Sequence, residues 1–356
     1  MATEGRHFTV SPYPEINMAR RLVQKHGLIP PIDVLALVKQ YAEVILRNIP
    51  ISGVDGVSID IKVPGKKPKV VVNNSVSSTR QLFTLAHELG HLIIPWHVGT
   101  LPDILNVSFD SIRGLTLEER QKVLAPFSKY AAMEEEANRF ASELLMPEQW
   151  VLDHIAANDN LAQLHEAICR DSKVSPWAAC IRLRSLLLPG IVYCCVESDV
   201  NVSFGGSSDG THQSAPYKGE FNLSNAFARA SAHYAWQSGY NTYHWWRFPI
   251  EVELEDYEPR DWRTLLGDIV NAVAPPGSDT AKIQHVINSV ISAAHNSVLR
   301  NKSLPYTEEA IIAACLNSID NRNDLMDFGY HPKFDMVIKK RAAELYTNRQ
   351  NRLSRQ

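Results

Sequence analysis

Phe83-Thr84-Leu85-Ala86-His87-Glu88-Leu89-Gly90-His91 is the stretch from which the fold of this chain is read. His87 and His91 stand four residues apart, so on a helix they share one face and can chelate a single ion. Glu88 follows the first histidine, where its carboxylate can reach a water on that ion and act as general base. A short HExxH pattern also fits an ordinary surface helix. Here, however, the flanks Leu85-Ala86, Leu89-Gly90 and Leu92-Ile93 are uncharged and small or apolar, so the helix is expected to be buried. Two histidines and a glutamate buried without partners would be costly, and a metal ion removes that cost.

A catalytic zinc needs a third protein ligand and keeps an open position for water. The best donor is the segment Met133 to Pro147, MEEEANRFASELLMP. Its apolar set is Ala137, Phe140, Ala141, Leu144 and Leu145. At about 100° per residue, Glu134 falls about 52° from the centre of that face, Glu136 about 108° away, and Glu135 points outward. Helical geometry therefore selects Glu134 as the ligand, with Glu136 second. Ala137 and Ala141 are small enough to let two helix backbones approach beside the metal.

These two motifs closely resemble the ImmA/IrrE family of zinc metallopeptidases. The resemblance continues upstream through Pro31-Ile32-Asp33-Val34, Val72-Asn73 and Arg80. Downstream it takes in Val174-Ser175-Pro176-Trp177-Ala178 and Ile181-Arg182-Leu183. It spans roughly residues 17–187. It implies His87, His91 and Glu134 as ligands of one catalytic Zn²⁺ and Glu88 as the base, in agreement with the geometric choice. It also implies site-specific cleavage of a regulatory protein, commonly a helix-turn-helix transcriptional repressor, in stress response, mobile-element control or phage defence. The competing class is a protease-fold regulatory module, antitoxin-like or nucleic-acid-associated, with little turnover.

Three further residues are candidates for substrate contact or for supporting the ligands. His97 lies just past the metal helix and is either an oxyanion partner or a structural histidine. Arg80 can fix the helix start, bind an acidic group or touch substrate. Asn138 sits one turn beyond Glu134, where it can support a ligand or simply pack.

Around these motifs the expected fold is α+β: a zincin-like domain with a small antiparallel sheet, a helix-turn-helix-like helical appendage, and a separate α+β C-terminal domain. The expected division is a flexible lead-in over 1–16, a metallopeptidase domain over 17–150, the appendage over 151–189, and a sensory or partner-binding domain over 190–356. Helices are expected over Asn17–His26, Pro31–Tyr41, Thr79–Ile94 (capped by Ser78), Leu117–Val123, Met133–Leu145 and 224–237. Strands are expected over Glu43–Leu46, Val57–Val63, Lys69–Val72, Ile191–Val196 and His244–Leu254. Trp245-Trp246, Tyr240, Tyr243 and Phe248 are expected to build the C-terminal core, and His285 and His295 to be structural.

The whole-chain numbers agree with this picture. The chain has 356 residues, 45% hydrophobic and 21% charged, with a net charge of −3, as expected of a two-domain soluble protein. Five cysteines (169, 180, 194, 195 and 315) form no CxxC pair, so they are expected to be reduced thiols in the cytoplasm. No signal peptide and no apolar run of about 18 residues is present, which argues against a membrane partner. From Lys333 to Gln356 seven basic residues oppose two acidic ones, a local +5. That end and the appendage admit DNA contact, but without a dense basic face it is not favoured over packing or substrate docking.

Overall fold

The computed structural model describes residues 10–50, 54–102, 117–198, 201–216, 219–220, 227 and 229–354. They form two compact units: residues 1–159 with 164–182, and residues 160–163 with 183–356. Residues 1–9 of the expected lead-in lie outside the described residues.

The first unit begins with α1 (Pro14–His26) and α2 (Val34–Val38). α1 starts three residues before the expected Asn17. Proline at the helix start needs no hydrogen-bonded N–H, and Glu15 suits the positive first turn. Strands β1 (Glu43–Arg47), β2 (Gly56–Ile61) and β3 (Lys69–Asn73) follow, then α3 (Ser78–Ile93), β4 (Gly99–Pro102) and α4 (Leu117–Leu145). The sheet order is β1-β3-β2-β4. β3, β2 and β4 pair antiparallel, and β1 joins β3 in parallel. α5 (Glu148–Ala157), α6 (Leu161–Ser172) and α7 (Pro176–Leu186) come next. The helices expected over Leu117–Val123 and Met133–Leu145 are one continuous α4.

α3 is capped by Ser77 rather than Ser78: its Oγ accepts from the backbone N–H of Arg80 at 3.4 Å. Residues 84 to 91 are all buried, as the uncharged flanks predict. α3 runs close against α4 because Gly90 has no side chain. A Cβ there would lie 3.2 Å from Ala137 Cα and 3.2 Å from Phe140 Cδ1.

The second unit has the sheet β7-β6-β5-β9-β8, built from β5 (Ile191–Glu197), β6 (Asn201–Ser207), β7 (Gly219–Glu220), β8 (Ala232–Ser238) and β9 (Asn241–Arg247). Helices α8 (Trp262–Val273), α9 (Thr280–Arg300), α10 (Glu308–Asp320), α11 (Met326–Gly329) and α12 (Phe334–Leu353) complete it. The apolar stripe of α9, including Ile287, Ile291 and Ala294, packs with Ile311, Cys315 and Phe334. Trp246 and Phe248 join Val192 and Cys194 in a second cluster, while Trp245 packs on Tyr193 with ring centroids 4.9 Å apart. His295 bonds the Tyr306 hydroxyl at 2.9 Å, a structural role.

Three expectations for this unit are corrected. Tyr240, expected in the core, is 93% exposed. Residues 224–226 and 228 of the expected helix over 224–237 lie outside the described residues, and Ala232–Ser238 is a strand. Its alanines read as helix, but Tyr234 and Trp236 sit opposite Trp245 and Tyr243 on β9, and aromatic cross-strand pairs of this kind stabilise a sheet. The expected strand to Leu254 stops at Arg247. Beyond it Val252 and Leu254 keep alternating burial but pack on the helical core, with the Val252 N–H bonded to Glu309 O at 3.1 Å. All five cysteines are free thiols. Among the described residues no helix is long and apolar enough to cross a membrane.

Candidate metal centre

α3 and α4 bring three donor side chains together. His87 and His91 face each other across one helical turn, with their Nε2 atoms 3.0 Å apart. Glu134, from α4, places Oε2 3.0 Å from His87 Nε2 and Oε1 3.4 Å from His91 Nε2. All three side chains are at most 5% exposed. Zinc bonds of about 2.0–2.1 Å in tetrahedral geometry set ligand atoms about 3.3 Å apart, so this spacing suits one ion. Among the described residues this is the one cluster of three or more histidine, cysteine or acidic donors so placed.

The protonation states fit as well. Burial pushes His91 down to about 4, against the opposing pull of Glu134. Burial pushes Glu134 up, but the close approach of His87 and His91 outweighs that and holds the carboxyl at about 2. Near neutral pH the site therefore offers a neutral imidazole and a carboxylate anion, the forms that bind metal. Glu134 Oε1 is buried and makes no hydrogen bond, so it has a lone pair directed at the cluster with nothing to receive it.

Glu136, second in the geometric ranking, goes elsewhere. Its Oε2 accepts from Trp96 Nε1 at 2.6 Å and lies 2.8 Å from His97 Nε2. Replacing Glu134 with alanine is expected to strip zinc from the dialysed protein, while the same change at Glu136 leaves the stoichiometry near one. Metal analysis of the two variants decides between the carboxylates, and equal loss from both would break the assignment.

Around the donors, His87 Nδ1 bonds Asn138 Oδ1 at 2.9 Å, which holds the ring with Nε2 toward the cluster. His97 is fully buried behind His91, on the side away from Nε2, so the oxyanion reading of His97 does not suit its position. Arg80 is exposed and pairs with Asp55. It lies at a cleft of about 710 Å³ lined also by Phe83, His87, Asn138, Met146 and Trp177.

Glu88 is 1% exposed and accepts a hydrogen bond from Ser58 Oγ. β2 reaches it because Gly56 lacks a side chain: a Cβ there would come within 2.6 Å of Glu88 Oε1. β2 thus turns its small residues, Gly56 and Ser58, toward the helix. Beyond them Asp60 and Lys62 adopt left-handed backbone (φ 57° and 54°), where the β2–β4 register shifts. The Lys62 ammonium then meets three carbonyls at the end of α3, those of His91, Ile94 and His97, at 3.0, 2.8 and 2.8 Å. Carbonyls at a helix end lack helical partners, and a cation suits them. Burial pushes this lysine down to about 8. Sequence reading missed Ser58 and Lys62. A serine on the buried side of a β-strand was the available signal for the first, and nothing local marks the second.

Comparison with known proteins agrees with the motifs. Residues 40–106 and 115–184 match the Peptidase_M78 family, described as an IrrE N-terminal-like domain. No curated protein matches the chain. Among solved structures, a Mycobacterium tuberculosis transcriptional regulator is 15% identical, covering 66% of this chain and 87% of that one with a TM-score of 0.35. Over residues 40–106 and 115–184 the chain is therefore similar to an IrrE N-terminal-like domain, in agreement with the resemblance its two motifs carry.

Proposed function

We propose that the first unit is a zinc-dependent endopeptidase that cuts a peptide bond in a regulatory protein, a helix-turn-helix transcriptional repressor being the expected substrate. The observation that carries this reading is the buried His87–His91–Glu134 set with Glu88 next to a ligand, and with His87 on the wall of a large cleft. A purely structural metal site has no need of an adjacent carboxylate or a cleft.

Bound zinc would supply Lewis acidity, polarising the scissile carbonyl and acidifying water. The chain's residues do the rest. Glu88 takes the proton of the attacking water on its carboxylate and returns it to the leaving amine. Ser58 fixes one oxygen of that carboxylate, and Asn138 keeps the His87 ring in register. Residues 151–189 serve packing or substrate docking in this proposal, and residues 190–356 sense a signal or engage a partner.

The test is incubation of the zinc-loaded chain with small helix-turn-helix repressors from the same genome, followed by mass spectrometry. One internal cut is expected, lost on chelation and restored by zinc. Repressors all left intact in the presence of zinc-loaded protein would favour the competing class, a protease-fold binding module.

A further inference from the structure

The hydrogen-bond chain behind His91 continues beyond its first partner. His91 Nδ1 meets His97 Nδ1 at 2.8 Å, and His97 Nε2 meets Glu136 Oε2 at 2.8 Å. His97 is fully buried and the Glu136 side chain is 22% exposed. Two imidazoles in series admit one set of tautomers once Nε2 of His91 is given to an ion. That nitrogen then carries no proton, so Nδ1 does, and it donates to His97. His97 Nδ1 must accept, which puts the His97 proton on Nε2, where it donates to the Glu136 carboxylate. One partly buried carboxylate thereby sets the protons of two buried rings.

We infer that His97 and Glu136 form a positioning relay that fixes the tautomer and orientation of His91 and so sets the affinity of the centre for zinc. The inference rests on reading His87, His91 and Glu134 as the zinc ligands. Neither relay residue touches the donor atoms. Both nitrogens of His97 are engaged, which leaves neither for substrate. Two features hold the relay in place. Lys62 gathers the carbonyls of the 91–97 turn, so the two rings face each other. Trp96 Nε1 donates to the same Glu136 oxygen, so the carboxylate is fixed from a second side. The two ligand histidines are thus supported differently. His87 leans on a neutral amide, while His91 leans on an imidazole backed by an anion, which raises the basicity of the ligand nitrogen.

The experiment is zinc titration of the full chain against a chromophoric chelator, with folding followed by circular dichroism. His97→Phe keeps a ring but removes both hydrogen bonds, and zinc affinity should fall about 10- to 100-fold, the usual loss for an outer-shell partner. Glu136→Gln keeps an acceptor without the charge and should cost less. The double variant should be no weaker than His97→Phe, because Glu136 acts only through His97. His97→Gln can accept from His91 and donate to Glu136, and should restore most of the affinity. Adding Asn138→Ala to His97→Phe should lower affinity further, since it acts on the other ligand.

Wild-type affinity in folded His97→Phe, or a double variant in which the two losses add in full, overturns the relay. If His97→Phe fails to fold, Glu136→Gln and His97→Gln carry the test, and wild-type affinity in Glu136→Gln overturns it. The zinc reading fails separately. In that case the wild type itself takes up no ion, or His91→Ala binds as tightly as the wild type, and the relay falls with it.

Discussion

Glu88→Gln is expected to keep its zinc and lose peptide hydrolysis. The two outcomes separate because Glu88 is not in the ligand cluster; the three donors are His87, His91 and Glu134. Glutamine has nearly the same shape, so it fits beneath Gly56 and can still accept from Ser58. It cannot take a proton at neutral pH. Loss of a general base costs about 10²- to 10⁴-fold in rate, and here the same group must also reprotonate the leaving amine. Cleavage followed by mass spectrometry and zinc measured on the same preparation check both halves. Turnover at the wild-type rate in the zinc-loaded variant would remove Glu88 from the mechanism. Loss of zinc together with activity would instead make Glu88 a structural support of the ligand helix.

That prediction was legible in the sequence because helical periodicity is a short-range property. Four-residue spacing puts His87 and His91 on one face, and the apolar set around Ala137 turns Glu134 toward them. Periodicity also placed Glu136 on the flank of α4. What it could not supply was the partner waiting there, His97 and Trp96, 39 and 40 residues away in sequence. Lys62 is hidden for the same reason. Its ammonium reaches carbonyls 29 to 35 residues later only because two left-handed residues turn the end of β2.

In the second unit the two misread segments have one cause. Ala232–Ser238 has no strong local preference, and its pairing with β9 decides its structure, so tertiary contact overrides propensity. Ile250 to Leu254 has the alternation of a strand, but among the described residues no strand pairs with it. Its apolar residues settle on helices instead. Alternation reports which side is buried, and a sheet needs a partner as well.

The second large effect expected is on stability. Glu143→Ala should destabilise the first unit by about 3–5 kcal/mol, the usual cost of breaking a buried ion pair from one side. Glu143 is 1% exposed on α4, nine residues after the proposed ligand Glu134. Its Oε1 accepts from Arg20 Nε at 2.9 Å and from the Glu148 backbone N–H at 3.1 Å. Its Oε2 accepts from Arg182 Nη2 at 2.5 Å. One carboxylate thus ties α1, α7 and the turn from α4 to α5 to the helix that bears the third donor. Alanine leaves two guanidiniums facing each other, with side chains only 11% and 9% exposed. Arg20 retains Glu148, and Arg182 retains the Met146 carbonyl at 3.0 Å. Domains are stable by about 5–15 kcal/mol, so this loss is a large share of the total. Urea unfolding of the metal-free chain measures it without the added stability of a bound ion. A cost below about 1 kcal/mol would place the network among pairs that contribute little. A second comparison separates charge from packing. Glu143→Met with Arg182→Met removes both charges together, and apolar replacement of a buried pair is often neutral. The double variant should therefore be more stable than Glu143→Ala, although it changes one more residue. α7 also supplies Trp177 and Ile181 to the wall of the cleft beside His87. If the double variant recovers stability, cleavage should recover with it, because the wall is then held by packing where the ion pair held it before.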